Sequence, residues 1–335
     1  MKVLLTGSAG FIAFHVAERL LQRGDMVLGI DNLNDYYDTK LKEARLTILR
    51  SYSNFSFVEA DIADAKMLSD IFSDFKPERV INLAAQVGVR YSLTNPQVYT
   101  QSNLVGFSNV LECCRSHHVQ HLVHASSSSV YGANTKVPFS VHDSCEHPVS
   151  YYAATKKANE LMAHSYSYLY QMPITCLRYF TVYGPWGRPD MSPWLFTKAI
   201  LKGDPIKVFN HGKMNRDYSY VGDIADATIL AMDKKAEPDK DFDTNNPDPA
   251  ISNAPYKIYN IGNHQPIRLI DFIETLENVL GLRANKDLHD MQPGDVVSTF
   301  AEIKTTQNNL NFIPKTDLKT GLTNWVDWYK VYHAT

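Results

Sequence analysis

The chain has 335 residues, of which 44% are hydrophobic and 21% are charged, and its formal net charge is −3. This balance is typical of an ordered globular protein, so it excludes disordered, collagen-like and coiled-coil chains. Because the net charge is slightly negative, it argues against a nucleic-acid or anionic-membrane partner and restricts any anion site to a local pocket.

Short β-branched runs alternate with amphipathic stretches through the first half of the chain. Strands are predicted at residues 3–5, 26–30, 55–58, 80–83, 121–125 and 174–179, and helices at residues 12–23, 98–117 and 151–170. Ser150 is the predicted N-cap of the third helix. The alternation predicts an α/β fold with a doubly wound parallel sheet of the Rossmann type, followed by a smaller C-terminal α/β lobe.

The first predicted strand runs into a Gly-x-x-Gly-x-x-Ala turn. Without Cβ atoms, Gly7 and Gly10 let the backbone approach a pyrophosphate at the helix N-terminus. Asp31 ends the second strand, where a carboxylate can accept hydrogen bonds from the ribose hydroxyls of adenosine. The next residue is Asn32, whereas an arginine at this position would favour NADP. The predicted cofactor is therefore NAD. Its first candidate ligands are Gly7, Ala9, Gly10, Phe11, Ile12, Asp31 and Asn32.

A serine run and a Tyr-x-x-x-Lys pair follow the fifth strand. Ser127 and Ser128 lie where that strand ends, the edge at which open α/β sheets place their sites. Tyr152 and Lys156 are four residues apart on one helix and share a face. The lysine cation and an oxidised nicotinamide would each favour phenolate, so Tyr152 is predicted to act as a base near neutral pH.

Other features favour less specific interpretations. The histidines between residues 117 and 124 lack metal-ligand spacing, so no metal is predicted. Tyr36 and Tyr37 are expected to be packing or interface residues rather than platforms for stacking nucleic-acid bases. The four cysteines form no disulfide framework, and no apolar run is long enough for a signal peptide or a membrane helix, so the predicted location is the cytoplasm.

Taken in this order, these motifs resemble the extended short-chain dehydrogenase/reductase family over nearly the whole chain. Four longer strings, at residues 31–37, 84–92, 152–160 and 181–191, resemble UDP-glucuronate 4-epimerases. The resemblance implies reversible C4 epimerisation of UDP-glucuronate to UDP-galacturonate, through a UDP-4-keto-hexuronate, with tightly bound NAD regenerated in each cycle. It also implies a homodimer, which is the commonest oligomeric arrangement.

The resemblance also implies roles for individual residues. Tyr152 becomes the base, Lys156 its electrostatic partner, and Ser127 the bridging hydroxyl, with Ser128 left open as a second candidate. Further cofactor contacts are implied at Asp61, Ile62, Leu83, Ala84, Ala85, Gln86 and Asn103. Substrate contacts are implied at Ser127, Tyr152, Thr181, Arg188, Arg216, Asp295 and, as a lesser candidate, Arg90. Arg188 is the residue expected to meet the glucuronate carboxylate, by a bidentate pair.

The regular alternation fades after residue 179 and Pro and Gly become frequent, which predicts a domain boundary there, while residues 234–255 are rich in Asp, Asn, Pro and Lys. Residues 1–179 are expected to form the NAD-binding domain, with segments of about 218–235 and 257–262 returning to it. Residues 180–335 are expected to form mainly the UDP-sugar-binding lobe, with an exposed loop at 234–255.

Two departures favour one activity over its relatives. Thr181 stands where UDP-galactose 4-epimerases usually carry Asn, and Ser129 stands where dehydratases and UDP-glucuronate decarboxylases carry an acid. The alternatives are a UDP-hexose or UDP-N-acetylhexosamine 4-epimerase, a UDP-glucuronate decarboxylase, and a non-enzymatic NAD-sensing scaffold.

Overall fold

The strands and helices lie in the part of the chain that the structure, a computed structural model, describes: residues 1–291 and 296–334. The strands are β1 Lys2–Thr6, β2 Met26–Asp31, β3 Phe55–Glu59, β4 Arg79–Asn82, β5 His121–Ser127, β6 Ile174–Tyr179, β7 Thr181–Tyr183, β8 Pro205–Phe209, β9 Asn215–Tyr220, β10 Tyr256–Ile261, β11 Pro266–Arg268, β12 Asn285–His289 and β13 Ser298–Thr299. The helices are α1 Phe11–Arg23, α2 Thr39–Leu49, α3 Ala65–Phe75, α4 Tyr91–Thr94, α5 Pro96–Tyr99, α6 Gly106–Ser116, α7 Tyr151–Tyr170, α8 Ser192–Lys202, α9 Val221–Asp233, α10 Leu269–Leu280, α11 Lys304–Leu310 and α12 Leu318–His333.

The main sheet has seven parallel strands within the described residues, in the order β10-β6-β5-β4-β1-β2-β3. Helices cover both faces of its central strands, and every residue of β5 is buried. Helices α1 and α9 contribute to the core on one face, and α3 and α6 to the core on the other. The predicted doubly wound parallel sheet is confirmed.

The segment predicted as one helix at residues 98–117 is interrupted. It consists of α5, a π-helical turn at Thr100–Val105 and α6. Asn103 lies on the wide turn with its side chain buried. Apolar periodicity predicted one continuous helix here and did not reveal the π turn.

A second region is built after β6. Strand β9 pairs in parallel with β7 and β13 and antiparallel with β11, while β8 pairs with β12. A core rich in aromatic side chains, including Trp194, Phe272 and Trp325, joins these strands to α8, α10 and α12. Strand β10 returns to the edge of the main sheet beside β6.

No helix in the described part of the chain combines the length and the apolar character needed to cross a bilayer.

Candidate active site

One cleft of about 390 Å³ lies along the carboxyl ends of the main-sheet strands. In an open α/β sheet this edge is the usual place for a ligand, because the loops that follow the strands converge there. Most of the predicted site residues line the cleft. They are Gly7, Gly10, Phe11, Ile12, Asp31, Asn32, Asp61, Ile62, Leu83, Ala84, Ala85, Gln86, Ser127, Ser128, Tyr152, Lys156, Thr181 and Arg188.

The glycine turn forms one end of the cleft. Gly7 has φ +71°, a left-handed conformation, and a Cβ there would lie 2.8 Å from the backbone nitrogen of Ala84. The turn closes through a 2.8 Å hydrogen bond from the Gly10 amide to the Gly7 carbonyl oxygen. Helix α1 begins at Phe11 directly afterwards, so its N-terminal amides face the cleft beside the turn.

Asp31 and Asn32 follow β2 at the same end. The two Asp31 carboxylate oxygens accept hydrogen bonds from the amides of Ala9 and Leu33, at 3.2 and 2.9 Å, so the carboxylate is held in place. The Ala9 amide, a predicted cofactor contact, is therefore hydrogen-bonded within the protein. Asn32 donates to the Asp61 carboxylate at 2.9 Å, which joins the ends of β2 and β3.

Two basic residues of α2 support this end and were not predicted. Lys42 lines the cleft with its Nζ 3.6 Å from Asp31 and 3.2 Å from the Asn34 side-chain oxygen. Arg45 is fully buried behind the turn. Because both residues belong to a helix that starts several residues after Asp31, no local motif of the sequence indicates them.

Tyr152 lies at the other end of the cleft, in the first turn of α7. Ser150 caps that helix by accepting a 3.1 Å hydrogen bond from the Ala153 amide, as predicted. Ser127 is the hydroxyl neighbour close enough to the Tyr152 phenol to lower its pKa. Ser127 therefore lies next to the tyrosine, whereas for Ser128 the structure shows only a place in the cleft wall.

The proton affinity of Tyr152 differs from the sequence-based expectation. Burial raises the pKa of Tyr152 above its ordinary value, and the Ser127 hydroxyl and the Arg188 charge oppose this increase. Burial has the largest effect because it disfavours the charged phenolate. The nearby cation that lowers the pKa is Arg188, which the sequence analysis had assigned only to the substrate.

Lys156 is buried one turn after Tyr152, and its Nζ donates a 2.9 Å hydrogen bond to the Ala125 carbonyl oxygen. Burial lowers the pKa of Lys156 to about 8. The ammonium is thus fixed between α7 and the end of β5, on the face of the helix that carries Tyr152.

A buried ion pair supports the serine run from below. Ser126 donates to Glu160 at 2.6 Å, and Glu160 also accepts bonds from Arg178 at 2.8 and 2.9 Å. Because Ser126 is on β5, Glu160 on α7 and Arg178 on β6, these bonds tie the helix that carries Tyr152 to the strand that carries Ser127.

Asn103 acts from behind the cleft wall. Its side-chain oxygen accepts from the Gln86 amide at 2.8 Å, and its Nδ2 donates to the Gln86 carbonyl and to Thr155, both at 3.1 Å. The structure thus places Asn103 as a support for Gln86 and α7, behind the residues that line the cleft.

Arg188 lines the cleft and is already paired with a carboxylate. Its Nε and Nη2 donate to the two carboxylate oxygens of Asp190, at 3.0 and 2.7 Å. The Tyr36 hydroxyl donates to the same carboxylate at 3.1 Å. Tyr36 and Tyr37 both line the cleft, and neither they nor Asp190 were among the predicted site residues.

Two predicted arginines lie outside the cleft lining that the described residues form. The Arg90 guanidinium lies 5.0 Å from the centre of the Phe209 ring. Arg216 donates to the backbone carbonyls of Asn215 and Val297, at 2.9 and 3.3 Å. Asp295 lies outside the described residues. In the part of the chain that is described, no three His, Cys, Asp or Glu side chains are grouped as metal ligands.

Comparisons with known proteins place this geometry in a family. Residues 3–262 match the NAD dependent epimerase/dehydratase family. Over 333 residues the chain is 52% identical to the protein CapI of Staphylococcus aureus, covering 99% of each chain. It is 46% identical to UDP-glucuronate 4-epimerase 4 of Arabidopsis thaliana, covering 99% of this chain and 76% of the plant protein.

A solved structure shares the whole fold. It is the UDP-glucuronic acid 4-epimerase of Bacillus cereus in complex with UDP-glucuronic acid and NAD. The TM-score is 0.88 at 32% identity, and the match covers 99% of this chain and 100% of the other.

Proposed function

Because this chain belongs to the NAD dependent epimerase/dehydratase family, we propose that it interconverts UDP-glucuronate and UDP-galacturonate by NAD-dependent epimerisation at C4. One observation carries the proposal: Tyr152, Ser127 and Arg188 meet at one end of a cleft whose other end consists of Gly7 and Asp31. The end with Tyr152, Ser127 and Arg188 suits a uronate, and the end with Gly7 and Asp31 suits a dinucleotide. Both relatives named as UDP-glucuronate 4-epimerases, from Arabidopsis and Bacillus, match nearly all of the chain.

The residues at the glycine-turn end fit NAD. The missing Cβ atoms of Gly7 and Gly10 let the turn close tightly against Ala84 and the Gly7 carbonyl oxygen, so that the start of α1 can face a pyrophosphate. The fixed Asp31 carboxylate suits ribose hydroxyls. We propose that Phe11, Ile12 and Asn32 complete this part, that Asp61 and Ile62 contact the adenine, and that residues 83–86 line the middle of the cofactor. Lys156 and Tyr152 would hold the nicotinamide ribose.

When bound, NAD takes up and returns the hydride of sugar C4, so the substrate passes through a UDP-4-keto-hexuronate. The chain's own task is to move the proton of the 4-hydroxyl. We propose that Tyr152 accepts this proton, directly or through Ser127, and later returns it. The Arg188 charge supports this role because it lowers the pKa of the Tyr152 phenol, whereas burial raises that pKa.

The carboxylates of the cleft support an epimerase over a dehydratase or a decarboxylase. Among the described residues that line it, the acidic side chains are Asp31 and Asp61, both at the glycine-turn end. At the Tyr152 end the wall offers the hydroxyls of Ser127, Ser128 and Thr181. Hydroxyl groups hold a sugar without supplying a second strong base at a neighbouring carbon.

We propose that Arg188 binds the substrate carboxylate. The intermediate is a β-keto acid that would lose carbon dioxide if its carboxylate were free to align, so a fixed cation protects it. In the second lobe, we propose that Arg216 contacts the diphosphate and Asp295 the nucleotide. The division between the NAD-binding domain and the UDP-sugar-binding lobe at residues 179 and 180 also stays a proposal. Arg90, which packs on Phe209, stays proposed as a lesser candidate for a substrate contact.

The test is to incubate the purified protein with UDP-glucuronate and no added cofactor, and to resolve the nucleotide sugars by chromatography and NMR. We expect a mixture of UDP-glucuronate and UDP-galacturonate. UDP-pentose with carbon dioxide would identify a decarboxylase, and unchanged UDP-glucuronate would refute the proposed activity.

The Tyr152→Phe variant tests the base. Its kcat should fall by about 10²- to 10⁴-fold, the usual contribution of a positioned acid–base group, while NAD stays bound. The matched control is Tyr151→Phe, which removes the neighbouring hydroxyl; that group is hydrogen-bonded to Thr100 outside the cleft lining of the described residues. A Tyr152→Phe variant as active as Tyr151→Phe would remove the tyrosine from the mechanism.

We also propose a homodimer. The exposed face of α7 carries Leu161 and Leu169, which are 60% and 64% exposed, and Val105 is 39% exposed on the preceding segment. Such side chains gain from burial against a symmetry-related copy. A mass near 37.9 kDa in sedimentation equilibrium, that of one chain, would contradict this proposal.

A reducing, cytoplasmic setting is proposed as well. All four cysteines, Cys113, Cys114, Cys145 and Cys176, are buried free thiols. Recovery of the native protein in the soluble cytoplasmic fraction of its cell would support this proposal, and recovery outside the cytoplasm would contradict it.

A further inference from the structure

The Arg188 guanidinium has two edges, and one of them is occupied. Asp190 accepts from Nε and Nη2, which is the fork that usually grips a carboxylate in a bidentate pair. Among the described residues, Nη1 has no hydrogen-bond partner, and the side chain lines the cleft. The bidentate contact expected from the sequence between Arg188 and the substrate is therefore made within the protein.

Given the proposed function, we propose that Asp190 is a positioning residue that fixes Arg188 by its Nε/Nη2 edge, so that Nη1 meets the uronate carboxylate. An arginine side chain has several rotatable bonds, and holding it in one rotamer costs entropy at each binding event. When a neighbouring carboxylate holds it beforehand, the substrate does not bear that cost.

Asp190 is itself held from a distant part of the chain. The Tyr36 hydroxyl donates to it at 3.1 Å, and the Tyr36 ring packs against Tyr91 with 4.9 Å between ring centres. Tyr36 lines the cleft and lies on the loop that leads from Asp31, the last residue of β2, to α2. The three-residue chain of Tyr36, Asp190 and Arg188 thus connects the loop beside the cofactor site to the group that recognises the sugar acid.

The pair also sets the charge that Tyr152 meets. Burial by itself would raise the pKa of Asp190, but the Arg188 guanidinium and the Tyr36 hydroxyl together have the larger effect. The pKa therefore lies below its ordinary value, and the carboxyl is ionised. Its negative charge offsets part of the positive charge of Arg188, which faces Tyr152. Asp190 therefore moderates the attraction of Arg188 for the phenolate of Tyr152.

The experiment compares the affinities of the NAD-loaded protein for UDP-glucuronate and UDP-glucose by isothermal titration calorimetry. For Asp190→Ala we expect the Kd of UDP-glucuronate to rise about tenfold and that of UDP-glucose to change less than about twofold, because only the uronate uses Arg188. In an Arg188→Ala background, Asp190→Ala should add no further loss, since the two residues act as one unit.

The matched control is Asp271→Ala. Asp271 makes a similar two-oxygen pair with Arg268, three residues away, at the exposed start of α10. Its loss should leave both Kd values unchanged. Tighter UDP-glucuronate binding by Asp190→Ala, equal weakening of both ligands, or additive losses in the double variant would overturn the proposal.

A second variant keeps the test decisive if Asp190→Ala unfolds. Asp190→Asn retains one acceptor oxygen and removes the charge, so the rise in Kd should be smaller and the acidic limb of the kcat–pH profile should move to lower pH. If the acidic limb of the kcat–pH profile does not move, the proposed effect of the Asp190 charge is wrong. Conversion of UDP-glucuronate by the wild-type protein tests the proposed function separately from the role of Asp190. If the wild type is active and the Asp190 variants behave like it, only the positioning role of Asp190 is wrong.

Discussion

At the scale of single residues, the proton affinities of two side chains decide whether the cleft can carry out acid–base chemistry. Burial raises the pKa of Tyr152 and lowers that of Lys156, because a buried group resists becoming charged in either direction. Ser127 and Arg188 counteract the change at Tyr152. The base is therefore made usable by neighbours that come from β5 and from the loop after β7.

We expect the pH profile of kcat/KM for UDP-glucuronate to decline above about pH 8. Burial lowers the pKa of Lys156 from 10.5 to about 8, so its ammonium is present below that pH and lost above it. The group proposed to hold the nicotinamide ribose thereby loses its charge, so the cofactor is held less firmly in its reactive position. The measurement is a profile from pH 6 to 9.5, with circular dichroism to verify folding.

The control for this profile is the adjacent lysine. Lys157 lies 3.6 Å from Glu160 and does not line the cleft formed by the described residues. A Lys157→Met variant should keep the decline, whereas Lys156→Met should show a low rate without it. A wild-type profile that stays level up to pH 9.5 would contradict the assigned role of Lys156.

At the scale of elements, α7 is the helix that organises the chemistry. It carries Tyr152 and Lys156 on the cleft and Glu160 on the buried pair with Arg178. Because these residues recur every four positions, they lie on one face. The position of Tyr152 in the first turn makes it sensitive to how the helix begins.

Ser150→Ala should lower the free energy of unfolding by about 1 kcal/mol, since it removes the N-cap bond to the Ala153 amide. It should also lower kcat severalfold, because fraying of the first turn moves Tyr152 away from Ser127. Ser150→Asp, which can still cap, should restore both. The measurements are urea denaturation and steady-state kinetics.

A cap on a remote helix serves as the comparison for Ser150. Asp317 caps α12 by accepting a 3.0 Å hydrogen bond from the Thr320 amide. Asp317→Ala should lose similar stability and keep its kcat. If both cap variants change kcat equally, the effect of Ser150 is one of general stability and the local explanation is wrong.

At the scale of the whole molecule, Arg45 joins three loops around the cofactor end of the cleft. Its guanidinium donates to the Ala9 carbonyl, the Tyr37 hydroxyl and the Trp186 carbonyl, at 2.7, 2.8 and 2.7 Å. These belong to the glycine turn, the loop after β2 and the loop that carries Arg188. The cofactor end and the sugar end are thus connected through one buried cation.

Arg45→Met should lower the free energy of unfolding by about 3 kcal/mol, because it leaves buried carbonyl oxygens without donors. It should also speed the release of NAD, since the glycine turn loses its support. Chemical denaturation and cofactor release monitored by fluorescence would measure the two effects.

Arg50→Met provides the control at the end of the same helix. Arg50 is half-exposed and pairs with the exposed Glu43, so its loss should cost less than about 0.5 kcal/mol. Equal destabilisation by the two variants, or unchanged NAD release in Arg45→Met, would contradict the connecting role of Arg45.

The sequence by itself determined the fold class, the glycine turn, Asp31, the serine run and the Tyr152/Lys156 pair. These features are local: a strand period, a turn that needs glycine, or two side chains one helical turn apart are all written in neighbouring residues. Their order along the chain also places them at one edge of a parallel sheet.

Only the tertiary structure decided which serine meets Tyr152, that Arg188 is already paired, and that Lys42, Arg45, Tyr36 and Asp190 support the site. Each of these depends on contacts between segments far apart in sequence; Tyr36 and Asp190, for example, are separated by 154 positions. The balance that sets the pKa of Tyr152 is equally non-local, because burial and the charge of Arg188 arise only when the loops close around the cleft.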